Sequence, residues 1–259
     1  MFQSAIERLG VDTAFDENVL RVGKRLTTKL WNASKFVLTQ TGPEGAITQE
    51  LDRAFVAELA ELVTRATSDF ERYEHADVLK AVESFFWTRF TDTTLELVKT
   101  RARGEDAAGR ASAVATLRLG LDVLLRLFAP FLPYVTEEIW SWAFAAEKGQ
   151  PSIHRAPWPG PADFAGVAAP ADAGSLELAI GCLAAIHKAK ADAAVSVGRE
   201  VEALVLAAAP ATLPRFARVA ADVLAAARVA VVTQQADAAL AAGVFQVREA
   251  RFAPRPEAG

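Results

Sequence analysis

Asp16-Glu17-Asn18-Val19-Leu20-Arg21-Val22-Gly23-Lys24-Arg25-Leu26-Thr27-Thr28-Lys29-Leu30-Trp31-Asn32-Ala33-Ser34-Lys35-Phe36-Val37-Leu38 carries the helical spacing from which the architecture follows. Its apolar residues Val19, Val22, Leu26, Leu30, Ala33 and Val37 recur at steps of three and four, which lines one face of an α-helix. Thr41-Gly42-Pro43-Glu44-Gly45 supplies the punctuation that ends it. Three more runs obey the same rule. Thr48 to Arg72 carries Leu51, Phe55, Leu59, Leu62 and Val63 as its apolar stripe. Asp77 is placed to cap a third run through Val78, Val82, Phe85, Phe86, Phe90, Leu95 and Val98, with Gly104 at its exit. The fourth, Ala111 to Ala146, includes Leu117, Leu121, Leu124, Leu125, Phe128 and Leu132, and Pro130 and Pro133 must kink or break it. Four antiparallel helices with short loops predict a four-helix bundle over residues 1–150, in a protein that is mainly α.

Composition changes after the bundle. Of 54 alanines, 33 fall in the last 99 residues, whereas Trp, Tyr and most Phe precede residue 160. Pro151…Pro157-Trp158-Pro159-Gly160-Pro161 and the small residues that follow read as an extended strap and linker over 151–174. Residues 175–259 mix periods: helix over Leu176–Ala194, strand over Val201–Leu206, helix over Thr212–Ala227, then strands over Arg228–Thr233 and Phe245–Phe252. That α-β-α-β-β order predicts a small α+β domain.

The 259 residues are 52% hydrophobic and 23% charged, with 28 Lys+Arg against 32 Asp+Glu and a formal net charge of −4. A generally basic coat for nucleic acid is excluded, so any such binding needs a local patch. Lone Cys182 excludes an intramolecular disulfide framework and a Cys-rich zinc site, and its apolar neighbours mark it as a buried, inert thiol. No run of 18 apolar residues and no basic leader are present, so the expected location is the cytoplasm, away from membranes. His75, His154 and His187 are scattered and show no metal-ligand spacing. Walker A, GxGxxG and GxSxG motifs are absent. Glu137 and Glu138 are neighbours on a helix and point about 100° apart, so they read as solvated carboxylates rather than an acid/base pair.

The opening helix carries more information. Arg21, Lys24, Arg25, Lys29 and Lys35 place five cations between positions 21 and 35 with no acid among them. On a helical wheel Arg25, Lys29, Asn32 and Phe36 fall within about 60° of one another, beside the apolar face. Cations hold phosphates, an amide donates and accepts, and an aromatic face lets an unstacked base lie flat, which is the chemistry of single-stranded RNA recognition. The same residues also fit a plain solvated cationic face with Phe36 at the edge of the core.

Gly10-Val11-Asp12-Thr13-Ala14-Phe15-Asp16-Glu17, Val22-Gly23-Lys24-Arg25-Leu26 and Lys29-Leu30-Trp31-Asn32-Ala33-Ser34-Lys35-Phe36 resemble the valyl-tRNA synthetase family downstream of its KMSKS loop. Phe86-Trp87, Leu95-Glu96-Leu97-Val98-Lys99, Phe128 through Trp140, and Ser152 through Pro159 extend the likeness. Ile186 through Lys190 and Val195-Ser196-Val197 carry it to the C-terminal subdomain, in one collinear order. The resemblance implies an anticodon-binding helical bundle followed by a small α+β subdomain. It implies binding of the anticodon stem and loop of valine tRNA, with a synthetase catalytic chain as a further partner, rather than DNA or a membrane. By the family's pattern Phe36 lies near an anticodon base, Lys29 clamps the backbone, and Leu95 and Glu96 line the same region. The HIGH and KMSKS signatures of the ATP-using catalytic domain, the editing domain and the C-terminal coiled coil are absent, so neither a cofactor nor independent catalysis is expected of this chain. Thr93-Thr94 stands where the family commonly carries an aromatic. That departure raises an alternative: a free-standing paralogue acting as a protein-interaction element.

Overall fold

A computed structural model describes residues 17–43 and 45–254. Gly10 to Asp16, part of the motif quoted above, and the side chains of Val19 and Val22 lie outside the described residues. Helix α1 (Glu17–Thr39) is followed by α2 (Glu50–Glu71) and α3 (His75–Phe85). The third helix continues through a π-helical segment, Phe86–Thr94, into α4 (Leu95–Val98) and a 3₁₀ turn, Arg101–Arg103. Its start departs from expectation. Glu74 occupies the N-cap position and Asp77 lies within the first turn, where a carboxylate favours the helix dipole without capping. Asp106, by contrast, caps α5 (Ala107–Phe128) by accepting the N–H groups of Ala108 and Gly109.

The predicted break near the prolines is present. Helix α5 ends at Phe128, and α6 (Pro133–Ala143) restarts with Pro133 in its first turn, where a missing N–H costs nothing. A short α7 (Ala145–Lys148) closes the helical part. The core between the long helices is aromatic. Phe55 stacks on Phe90 at 5.9 Å between centroids, and Phe86 meets Phe128 edge-on at 5.6 Å. Gly120 lets α5 approach this cluster: a Cβ there would sit 2.8 Å from the Phe90 ring and 3.1 Å from that of Phe55.

The strap is bound to the bundle by specific polar contacts. Trp158 Nε1 donates to Thr67 Oγ1 at 2.9 Å while its ring meets Phe70 edge-on. Glu137 is not simply solvated: its Oε2 accepts from Ser152 Oγ at 2.9 Å and the Ile153 N–H at 3.0 Å. Further on, Glu50 at the start of α2 accepts the N–H groups of Ala171 and Asp172 and the Ser175 hydroxyl. Burial pushes the Glu50 carboxyl up, but those donors more than reverse it and hold it below its usual range.

The C-terminal part comprises α8 (Ser175–Asp192), β1 (Val201–Ala208), α9 (Thr212–Phe216), α10 (Ala220–Ala226), β2 (Val232–Ala236) and β3 (Phe245–Phe252). The sheet order is β2-β1-β3, with β1 parallel to β2 and antiparallel to β3. One expected helix is two, because the chain turns between Phe216 and Ala220, and the second strand begins at Val232 rather than Arg228. Lys190 is fully buried and its Nζ donates to the carbonyls of Val197 and Ala227, both at 2.7 Å, joining the end of α8 to the end of α10. Cys182 is sealed in the core, and burial pushes its thiol up to about 12.

A buried ionic cluster joins the two parts. Arg101 donates to both oxygens of Asp52 at 2.6 and 2.8 Å and to both of Asp222, on α10, at 2.8 and 3.1 Å. Asp52 is fully buried and also accepts from Ser112 Oγ at 2.5 Å. Burial alone pulls the Arg101 guanidinium down, but the two carboxylates outweigh it and hold it charged.

Candidate nucleic-acid interface

Apolar periodicity turns Leu26, Leu30, Ala33 and Val37 into the core, which leaves the cations of α1 on its outer side. Arg21, Lys24, Arg25, Thr28, Lys29 and Asn32 line an open surface depression of about 430 Å³ whose remaining wall is Trp87. The Arg25 guanidinium lies 5.3 Å from the Trp87 ring centroid and the Lys29 ammonium 5.0 Å. Both are cation–π distances, each worth on the order of 0.5–1 kcal/mol where exposed. Lys29 Nζ also reaches Asp92 Oδ1 at 3.2 Å. With their side chains 36% and 61% exposed, this pair is wet and exchangeable rather than a structural bridge.

Trp87 and Asp92 project from the π-helical segment. Its wider turn is marked by the Leu95 N–H donating to the Phe90 carbonyl, five residues back. Thr93 and Thr94 both point inward, with Thr94 fully buried, so the departure at this pair does not reach the exposed wall. The feature that raised the protein-interaction reading thus lies in the core.

Two crossings set how α1 meets the third helix. Lys29 meets Trp87 and Asp92, and seven residues later Phe36 meets Arg103, whose guanidinium sits 5.3 Å from its ring centroid. The segments therefore run side by side in the same direction, forming a seam. Glu96 and Lys99 fall between those crossings, ion-paired with each other and exposed enough to exchange partners. The Glu96 charge also reaches His187 on α8, whose imidazole is held below its usual range by burial first and Lys190 second, with Glu96 opposing.

The six residues singled out from sequence are thus not equivalent. Arg25 and Asn32 are exposed, and Lys29 is partly so at the same depression. Glu96 is paired with Lys99 and within electrostatic reach of His187, and does not line the depression. Phe36 is half-buried against the core and carries Arg103 on its ring rather than a bare face. Leu95 departs from the expected role: it is 7% exposed and belongs to the core, because it points about 100° away from exposed Glu96 on the same helix. Trp87, Asp92 and Arg103 were not singled out. Residue spacing does not show that α1 lays Arg25 and Lys29 over the half-buried Trp87 ring. Among the described residues, no group of three His, Cys, Asp or Glu side chains is placed to hold a metal ion, and no helix is long and apolar enough to cross a membrane.

Comparison with known proteins gives a family match over residues 52–205, to the family described as the anticodon-binding domain of tRNA ligase. The chain is also similar to the valine–tRNA ligase of Thermobifida fusca, with 42% identity over 222 residues, 84% of this chain and 24% of the relative. The valine–tRNA ligase of Salinispora arenicola is 43% identical over 242 residues, 85% of this chain and 27% of that protein. For the valine–tRNA ligase of Cutibacterium acnes the figures are 47% over 163 residues, 61% and 18%. The chain spans about a quarter of the length of the first two of these curated relatives.

Proposed function

This chain belongs to the anticodon-binding domain family of tRNA ligases, and from that premise we propose that its seam grips the anticodon stem and loop of valine tRNA for a valine–tRNA ligase catalytic unit. The observation that carries the reading is the depression where Arg25, Lys29 and Asn32 surround Trp87. In an acidic chain this is a local positive field whose cations rest on an aromatic ring, suited to the phosphates of an RNA loop. Lys29 exchanges Asp92 for a phosphate oxygen, Arg25 and the outer cations follow the backbone, and Asn32 supplies an amide for a base edge. Glu96 accepts from a base amino group, which adds discrimination that phosphate contacts lack. The Arg101 cluster ties the α/β part to the exit of the third helix, two residues before Arg103. Arg101 itself is committed to Asp52 and Asp222 and takes no part in RNA contact.

The test is a titration of the 259-residue chain with an RNA hairpin carrying the valine anticodon stem and loop, at two salt concentrations, beside an anticodon-swapped hairpin. Affinity should fall steeply with salt because bound phosphates release counterions. Equal affinity for the two hairpins would refute anticodon recognition.

A further inference from the structure

We propose that Arg103, rather than the bare ring of Phe36, presents the stacking plane to an unpaired nucleotide of the anticodon loop. The inference rests on the tRNA-binding reading above and names the group that meets the base. Phe36 is backed by the core and overlaid by the Arg103 guanidinium, 5.3 Å from its centroid. A base approaching this end of the seam meets the guanidinium first.

The guanidinium is braced, not draped. Gln40, only 6% exposed, donates from Nε2 to the Phe36 carbonyl at 2.8 Å and to Thr39 Oγ1 at 3.2 Å. Both partners present acceptor oxygens, which assigns Nε2 to that side and leaves Oε1 to accept from Arg103 Nε at 3.0 Å. Phe36, Gln40 and Arg103 thus close a loop: the carbonyl of Phe36 orients the amide, the amide orients the guanidinium, and the guanidinium returns to the ring of Phe36.

The brace is neutral, unlike the carboxylate partners of the arginines that hold the fold together. Arg101, Arg126 and Arg215 are each locked by carboxylates. Among the described residues no carboxylate pairs with Arg103. Its charge is uncompensated, its exposed Nη groups have no protein acceptor among the described residues, and its plane is fixed from beneath. A guanidinium in that state stacks on a base through its free face while its in-plane N–H groups reach a phosphate or base-edge oxygen. An ammonium has neither the plane nor the fork.

Three variants test this with the cognate and anticodon-swapped hairpins. Arg103→Lys keeps the charge and removes the plane: cognate affinity should fall about tenfold, within the range measured for one stacked base. The slope of log affinity against log salt should stay at the unsubstituted value. Arg103→Ala should lose more affinity than Arg103→Lys, because the charge goes as well as the plane, and should flatten that slope by about 0.7–0.9. Phe36→Leu keeps the apolar packing but removes the π face that anchors the guanidinium, and should reduce discrimination between hairpins without changing the slope. Circular dichroism at the titration temperature should show all three variants folded, with Arg103→Ala melting lower because Gln40 Oε1 loses its donor. The inference is overturned if Arg103→Lys matches the unsubstituted chain in affinity and discrimination while that chain still distinguishes the hairpins. If the unsubstituted chain binds neither hairpin in a salt-sensitive way, the anticodon reading falls and takes the inference with it.

Discussion

Replacing Asp92 by Asn should tighten RNA binding. The carboxylate sits 3.2 Å from Lys29 Nζ, so it holds the cation that the proposal assigns to a phosphate and also repels that phosphate directly. For a phosphate about 6 Å from Asp92, Coulomb's law gives about 0.7 kcal/mol of repulsion in bulk water and about 3 kcal/mol at an effective dielectric near 20. Asp92 is 61% exposed, so the water value governs, and about threefold tighter binding is expected at low salt. The fold should be indifferent, since an exposed pair of this kind contributes under about 1 kcal/mol. Lys29→Ala should act in the opposite direction and reduce the salt slope. The assay is fluorescence anisotropy with the labelled valine hairpin at about 0.05 M and about 0.5 M salt. The advantage of the Asn variant should shrink at the higher concentration as screening shortens the reach of the charge. Binding by Asp92→Asn equal to or weaker than that of the unsubstituted chain at low salt would refute the seam as the path of the phosphates.

Arg101→Ala leaves Asp52 buried at 0% side-chain exposure with no cation, and should cost about 3–5 kcal/mol in chemical denaturation. A loss under about 1 kcal/mol would sink the view that this cluster fixes the α/β part to the helices. Asp172 accepts from Arg215 and from the Gly174 N–H, which hold its carboxyl at about 2, below the ordinary value. A depressed native pKa means the unfolded chain binds the proton more readily, so this contribution is full above about pH 4 and lost as pH falls toward about 2. Arg215→Gln should therefore be less stable than the unsubstituted chain at pH 5 and approach it as acid is added. A gap that stays constant across that window would count against the assignment.

The third helix shows how far pattern reading reaches. The three- and four-residue recurrence from Val78 to Val98 specifies a buried face, and Phe86, Phe90 and Val98 are fully buried on it. Periodicity does not report that the backbone widens into a π turn over Phe86–Thr94, because inserting one residue per turn depends on what packs outside. The same holds for Leu95. A family likeness places it beside Glu96 as a pair, yet adjacent helical residues point apart, and one of the two must face inward.

Residue order is enough to specify the helical bundle, the break before Pro133, a small sheet and the cationic stripe of α1. Each follows from local rules: apolar spacing, proline's missing donor and the order of neighbouring residue types. Tertiary structure alone decided which partner each side chain meets. Trp87 under Arg25 and Lys29, Gln40 bracing Arg103, and Asp52 joined through Arg101 to Asp222 bring together residues 49 to 121 positions apart, across helix faces. Such meetings depend on the rotation and offset of whole helices, which are set by how the Phe55–Phe90–Gly120 core interlocks and not by any short stretch of chain.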